Sequence, residues 1–131
     1  MTLPALFVLH LEKNAISKLE PAGLLSTSVP NIRGLYLTNN TIAAIANDAL
    51  DSAYLETLHL DSNKLTEVPT NALSKASNLE ELNLSRNSIR WVGPHAFQPV
   101  SNSLRRLYME EMATEKLSNP KLEMARLTSL Y

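Results

Sequence analysis

The 131-residue chain contains no cysteine, which excludes a disulfide framework and a thiolate metal site. The same absence leaves the compartment open, since cysteine-free stretches occur both in cytosolic proteins and within secreted ones. Glycine is scarce, at three residues, and no low-complexity tract interrupts the sequence, so nothing suggests a flexible linker. An excess of one charge is lacking too. Twelve Lys and Arg stand against thirteen Asp and Glu, scattered along the chain, and give no support for strong attraction to nucleic acid or an anionic membrane. No apolar run approaches the roughly 20 residues that cross a bilayer, so direct membrane insertion is not expected. The stretch Met1 to His10 carries a short apolar patch without a basic leader or a convincing cleavage site, and does not read as a signal peptide.

What the chain does have is leucine at regular spacing, with 44% hydrophobic residues to build a continuous core. The phrase Leu55-Glu56-Thr57-Leu58-His59-Leu60-Asp61-Ser62-Asn63-Lys64-Leu65 recurs as Leu79-Glu80-Glu81-Leu82-Asn83-Leu84-Ser85-Arg86-Asn87-Ser88-Ile89. Earlier copies run from Leu6 through Leu9, Leu11, Asn14 and Ile16, and from Ile32 through Leu35, Leu37, Asn40 and Ile42. A fifth begins at Leu104 with Leu107 and Met109, and a partial sixth at Leu127 with Leu130. The intervals between starts are 26, 23, 24, 25 and 23 residues. Downstream, Leu19, Ile45, Val68, Val92 and Leu117 fill one slot, and Leu24, Leu50, Leu73, Phe97 and Leu122 fill the next, several of them preceded by Ala49, Ala72 or Ala96.

Within each phrase the apolar residues alternate with polar ones, the period of a short strand. One copy cannot bury its own leucine face. Stacking the copies pairs the strands in parallel and closes a single apolar interior, so residues 1–131 read as one domain. Pro21, Pro69, Pro94 and Pro120 fall in the return segments, where loops or first turns of short helices are expected because proline cannot donate into a strand ladder. The column Asn14, Asn40, Asn63 and Asn87 is expected to be structural, each amide satisfying backbone groups in a dry interior. Met112 stands where a fifth Asn would be, with Thr114 in place of the next aliphatic, which predicts a softer step in the stack.

These residues resemble the leucine-rich repeat family, in its variety of roughly 24 residues with an Ala-Leu or Ala-Phe pair. The resemblance implies an α/β solenoid, an arc with a parallel sheet on the concave face and loops or short helical turns on the convex face. The variety is similar to the ectodomains of chaoptin-like adhesion proteins, Slit-like guidance proteins, Toll-type receptors and small leucine-rich proteoglycans. It therefore implies an extracellular or cell-surface module that binds a protein or matrix ligand on its concave face. The alternative is a cytoplasmic scaffold or regulatory subunit. Those ectodomains close their stacks with Cys-rich caps that this sequence does not contain, so the chain is expected to be an internal piece that can self-associate through uncapped ends.

The expected contact surface is the column between the two strand leucines: His10, Tyr36, His59, Asn83, Tyr108 and Tyr131. A chain with 5% aromatic residues has set three of its four tyrosines in this line, and tyrosine offers a rigid apolar body with a polar tip. Cross-strand packing explains the same column in part. Flanking charges are mixed, with Glu12, Asp61 and Glu110 on one side, Arg33, Glu56, Glu80, Glu81, Arg105 and Arg106 on the other, and Lys13, Arg86 and Glu111 beyond. Both signs together suit a folded protein better than a polyanion.

No catalytic constellation is legible. His10 and His59 lie two strands apart, roughly 10 Å, beyond the span of one metal ion, and His95 falls in an outer turn. Glu80 and Glu81 face the same side only if the strand ends there, and paired-carboxylate hydrolysis also needs a deep pocket. No nucleophile-base pair and no phosphate loop accompany them. No enzyme activity, cofactor or metal is expected. Asn39 and Asn83 each begin an Asn-x-Ser/Thr sequence, and Asn39 is the better glycan acceptor because a sugar on Asn83 would block the inner face.

Overall fold

A computed structural model describes residues 2–20, 28–112 and 129–131. Of the slots predicted above, Leu24, Leu117, Leu122 and Leu127, together with Pro21, Pro120 and Thr114, lie outside the described residues.

Eight short strands run in order: β1 (Val8–His10), β2 (Lys18–Leu19), β3 (Gly34–Tyr36), β4 (Ala44–Ile45), β5 (Thr57–His59), β6 (Glu81–Asn83), β7 (Arg106–Tyr108) and β8 (Ser129–Leu130). Six of them form one parallel sheet in the order β1-β3-β5-β6-β7-β8. Its register aligns Leu9, Leu35, Leu58, Leu82, Leu107 and Leu130 in one row. The chain is a parallel-strand solenoid whose sheet lines the inner face of the arc.

Strands β1, β3, β5, β6 and β7 are three residues long because the leucine code needs no more. Leu58 and Leu60 in one turn, or Leu82 and Leu84 in the next, point inward on either side of an outward residue. Ile32, Leu55, Leu79 and Leu104 are fully buried ahead of the strands, and Leu50, Leu73 and Phe97 close the core from the outer side. Each such side chain contributes about 1.5–3 kcal/mol when removed from water. The first turn is less covered, with Leu6, Leu9, Leu11 and Ile16 only partly buried.

Three of the four asparagines in the column, Asn40, Asn63 and Asn87, bond across neighbouring turns. Asn63 Oδ1 accepts from Ile42 N–H at 3.0 Å, and its amide donates to the carbonyls of Leu37 at 3.1 Å and Leu60 at 3.0 Å. Asn87 repeats this with Leu65, Leu60 and Leu84, and Asn40 with Ile16, Leu11 and Leu37. Asn14 is exposed and bonds only within its own turn, to Leu11 and Glu12. Met112 cannot act as this acceptor, and among the described residues nothing accepts from Ile89 N–H.

The residue before each ladder position is in the left-handed region: Lys13, Asn39, Ser62, Arg86 and Glu111 have φ between 51° and 61°. The turn is held because the N–H groups of Lys13, Asn39, Ser62 and Arg86 donate to carbonyls of the following turn, those of Thr38, Asp61, Ser85 and Glu110. None of the five is β-branched, as this conformation demands.

On the outer side the return segments contain the helical turn α1 (Thr70–Leu73) directly after Pro69, and a 3-10 turn at Gln98–Val100 that contains Pro99. A second, two-stranded parallel sheet, β2 with β4, was not foreseen from the sequence. Its limit has a simple cause. Ala46 N–H donates to Leu19 O at 3.0 Å, and the residue in the corresponding place of the next turn is Pro69, which has no N–H to give.

Candidate functional site

The open face of the main sheet is built by a kink at the start of each strand. Glu80 and Glu81 both donate their N–H groups to Glu56 O, at 2.8 and 2.9 Å. The pairs Glu56 and Thr57 on Arg33 O, and Arg105 and Arg106 on Glu80 O, do the same. Two successive residues converge on one carbonyl, a bulge-like step, and the first of each pair (Glu56, Glu80, Arg105) lines a shallow depression with Ser77, Asn78, Asn102 and Ser103. The strand does not end at this pair: β6 starts at Glu81 and runs to Asn83, with Glu80 just ahead of it.

Register then assembles the aromatic column. His10, Tyr36, His59, Asn83 and Tyr108 lie opposite one another on successive strands. The rings of His10 and Tyr36 stack with centroids 4.6 Å apart, Tyr36 meets His59 edge-on at 4.8 Å, and Tyr108 stacks on Tyr131 at 4.7 Å. Tyr36 leans over Gly34, where an added Cβ would come 3.2 Å from its ring. Asn83 is the one position without a ring. Its Oδ1 is drawn aside to accept from Ser85 N–H at 3.0 Å.

Ion pairs run alongside. Glu81 bridges two strands, its Oε2 2.7 Å from His59 Nε2 and its Oε1 accepting from Arg106 Nε at 2.7 Å. Burial pushes the Glu81 carboxyl up, but the bonds from His59 and Arg106 together hold it below its ordinary value. The same contact raises Arg106. Arg33 pairs with Glu56 at 2.9 Å, Arg105 with Glu80 at 3.2 Å, and Arg86 with Glu111 at 2.9 Å. Glu12 is partly exposed, and its hydrogen bond with His10 Nδ1 lowers its carboxyl.

Asp61 is placed differently from the other charges. It is buried, at 8% exposure, and accepts from Thr38 Oγ1 at 2.8 Å, so it braces the turn instead of presenting its carboxylate to solvent. Asn39 is exposed at its left-handed turn.

One outer feature was not among the sites expected from the sequence. Trp91 is 67% exposed and lies over Gly93, beside an open groove of about 310 Å³ lined also by Glu67, Val68, Thr70, Pro94, His95 and Ala96. The lone tryptophan and the nearby Gly93-Pro94 were the available signals.

The leucine rich repeat profile matches residues 53–111, the turns with the fullest asparagine ladder. The chain is a leucine-rich repeat protein. It is 29% identical to human leucine-rich repeats and immunoglobulin-like domains protein 1, over 93% of this chain and 13% of that protein. It is 34% identical to mouse podocan, over 76% of this chain and 16% of podocan, and 32% identical to Arabidopsis thaliana receptor-like protein 9b, over 70% and 10%. The repeat chain thus spans less than a fifth of each of these relatives. Among its described residues no helix is long and apolar enough to cross a membrane.

Proposed function

We propose that this leucine-rich repeat chain is a protein-binding module of a cell-surface or secreted protein, and that it engages a folded protein or matrix ligand through its inner face without performing catalysis. The observation that carries the reading is the register-aligned column of His10, Tyr36, His59 and Tyr108, partly exposed and flanked by ion pairs of both signs. Half-exposed tyrosines bury apolar area on contact while freezing few rotors, and paired charges beside them set orientation. The extracellular assignment draws on the relatives, one of which is a receptor-like protein by name. In that setting Asn39, exposed and away from the aromatic column, is the glycan acceptor, whereas Asn83 belongs to the contact surface. Self-association is a secondary property, supported by the exposed Leu3, Phe7 and Val8 beside the outermost strand β1.

The test is to stain a panel of cells expressing individual surface and matrix proteins with the labelled chain, then repeat every positive with variants. Tyr36→Ala and Tyr108→Ala on the inner face are expected to weaken binding at least about tenfold, the loss typical of an interface anchor, while Trp91→Ala on the outer face leaves it intact. Loss with Trp91→Ala and retention with both tyrosine variants would reverse the assignment of faces.

A further inference from the structure

The aromatic column has a vacant step. Its occupied neighbours, His10 with Tyr36, Tyr36 with His59, and Tyr108 with Tyr131, are 4.6 to 4.8 Å apart. Between His59 and Tyr108 the column crosses Asn83, whose short side chain is turned aside to Ser85 N–H. The two rings are therefore separated by about two strand spacings, ~9.6 Å. That distance equals two ring-contact steps, so one planar group placed between them would meet both.

The surroundings of the step are anionic. Glu81, Glu110 and Glu111 stand against Arg106 and Arg86, an excess of one carboxylate, with Asp61 turned in to Thr38. Glu81 is held by His59 and Arg106, and Arg86 by Glu111. Glu110 is exposed, donates its N–H to Ser85 Oγ in the turn after Asn83, and feels Arg86 only at longer range, with no ion pair of its own among the described residues. A neutral aromatic guest would gain the stacking alone. A guanidinium is planar, stacks on aromatic faces, and keeps edge N–H groups free for a carboxylate or an amide oxygen. An ammonium has the charge without the plane.

Resting on the inner-face binding reading above, we propose that the step over Asn83 is a slot for one arginine side chain of the partner protein, its guanidinium layered between His59 and Tyr108 with its edge toward Glu110 and Asn83 Oδ1. The slot makes the partner's contact surface basic at its centre.

The experiment is an NMR titration of the whole 131-residue chain, with 13C-labelled aromatic rings, using N-acetyl-arginine amide, N-acetyl-lysine amide and N-acetyl-tryptophan amide as probes. The arginine probe is expected to move the His59 and Tyr108 ring signals saturably, and to bind at least about twofold tighter than the lysine probe, whose ammonium meets a ring but has no plane to layer between two. Asn83→Phe fills the step with a residue suited to strands, and is expected to abolish the response while the Tyr36 signals keep their native positions. Equal shifts from arginine and lysine, tighter binding of the tryptophan probe, or an undiminished response in Asn83→Phe would each overturn the proposal. The two readings fail separately: a protein ligand that loses binding with Tyr36→Ala but is indifferent to Asn83→Phe removes the slot and leaves the inner face standing.

Discussion

Glu81 and His59 are joined across neighbouring strands, Oε2 to Nε2 at 2.7 Å, while the other oxygen of the same carboxylate holds Arg106. One side chain thereby ties three successive turns of the solenoid together on its open face. Because its folded pKa is depressed below 4.5, Glu81 contributes stability that is complete above the unfolded value and lost as pH falls through the folded one. Urea unfolding between pH 6 and pH 3 should show this loss, and the Glu81→Gln variant should lose less on acidification. At neutral pH the variant is expected to be about 1 kcal/mol less stable, the scale of a partly exposed charged hydrogen bond. A variant whose acid sensitivity equals that of the parent would show the bridge to be energetically idle.

The asparagine ladder predicts a contrast between chemically identical substitutions. Asn63→Ala strips the acceptor from Ile42 N–H and the donor from two buried carbonyls. Each orphaned group costs about 1–3 kcal/mol, so the expected loss is about 3 kcal/mol or more. Asn14→Ala removes bonds that are exposed and local, and should cost less than about 1 kcal/mol. Chemical denaturation of the two variants side by side checks the difference, and similar losses would contradict the geometry.

Much of this was legible in the sequence, and the limits are instructive. The leucine rows and the inner-face column follow from a side-chain period of two, which decides facing without reference to neighbours. Who bonds to whom does not follow from period. Asp61 and Glu110 occupy the same place in the repeat, yet Asp61 is turned in because Thr38 offers it a hydroxyl, and Glu110 stays exposed. Glu80 and Glu81 donate to one carbonyl, yet Glu80 pairs with Arg105 and Glu81 with His59 and Arg106, a division that no side-chain pattern encodes. The left-handed row had a signal that went unread: Lys13, Asn39, Ser62, Arg86 and Glu111 precede the ladder positions, and none is β-branched.

That row yields a prediction of its own. Ser62 has φ 56° and is only partly exposed. Ser62→Val forces a β-branched side chain into the left-handed region and should destabilise the protein by about 1–2 kcal/mol. Ser62→Gly, which takes this φ freely, should be neutral or slightly stabilising despite the greater freedom it gives the unfolded chain. Thermal unfolding separates the two, and a stable Ser62→Val would show that the turn relaxes to negative φ.

The break in the ladder at Met112 gives the last test. Ile42 and Leu65 donate their N–H groups to the asparagine of the following turn, at 3.0 Å in each case. Ile89 occupies the same place but faces the turn of Met112, whose thioether is too weak an acceptor to substitute. An amide without a protein acceptor exchanges with solvent whenever the turn opens, so Ile89 should exchange faster than Ile42 or Leu65, by about tenfold if the missing bond contributes about 1.4 kcal/mol to closure. Met112→Asn restores both the acceptor and the paired donors, and should slow exchange at Ile89 without altering Ile42. The softer step inferred from the sequence thus becomes a local quantity at one amide. Equal protection of Ile42, Leu65 and Ile89 in the parent chain would show that the stack closes over Met112 as firmly as over asparagine.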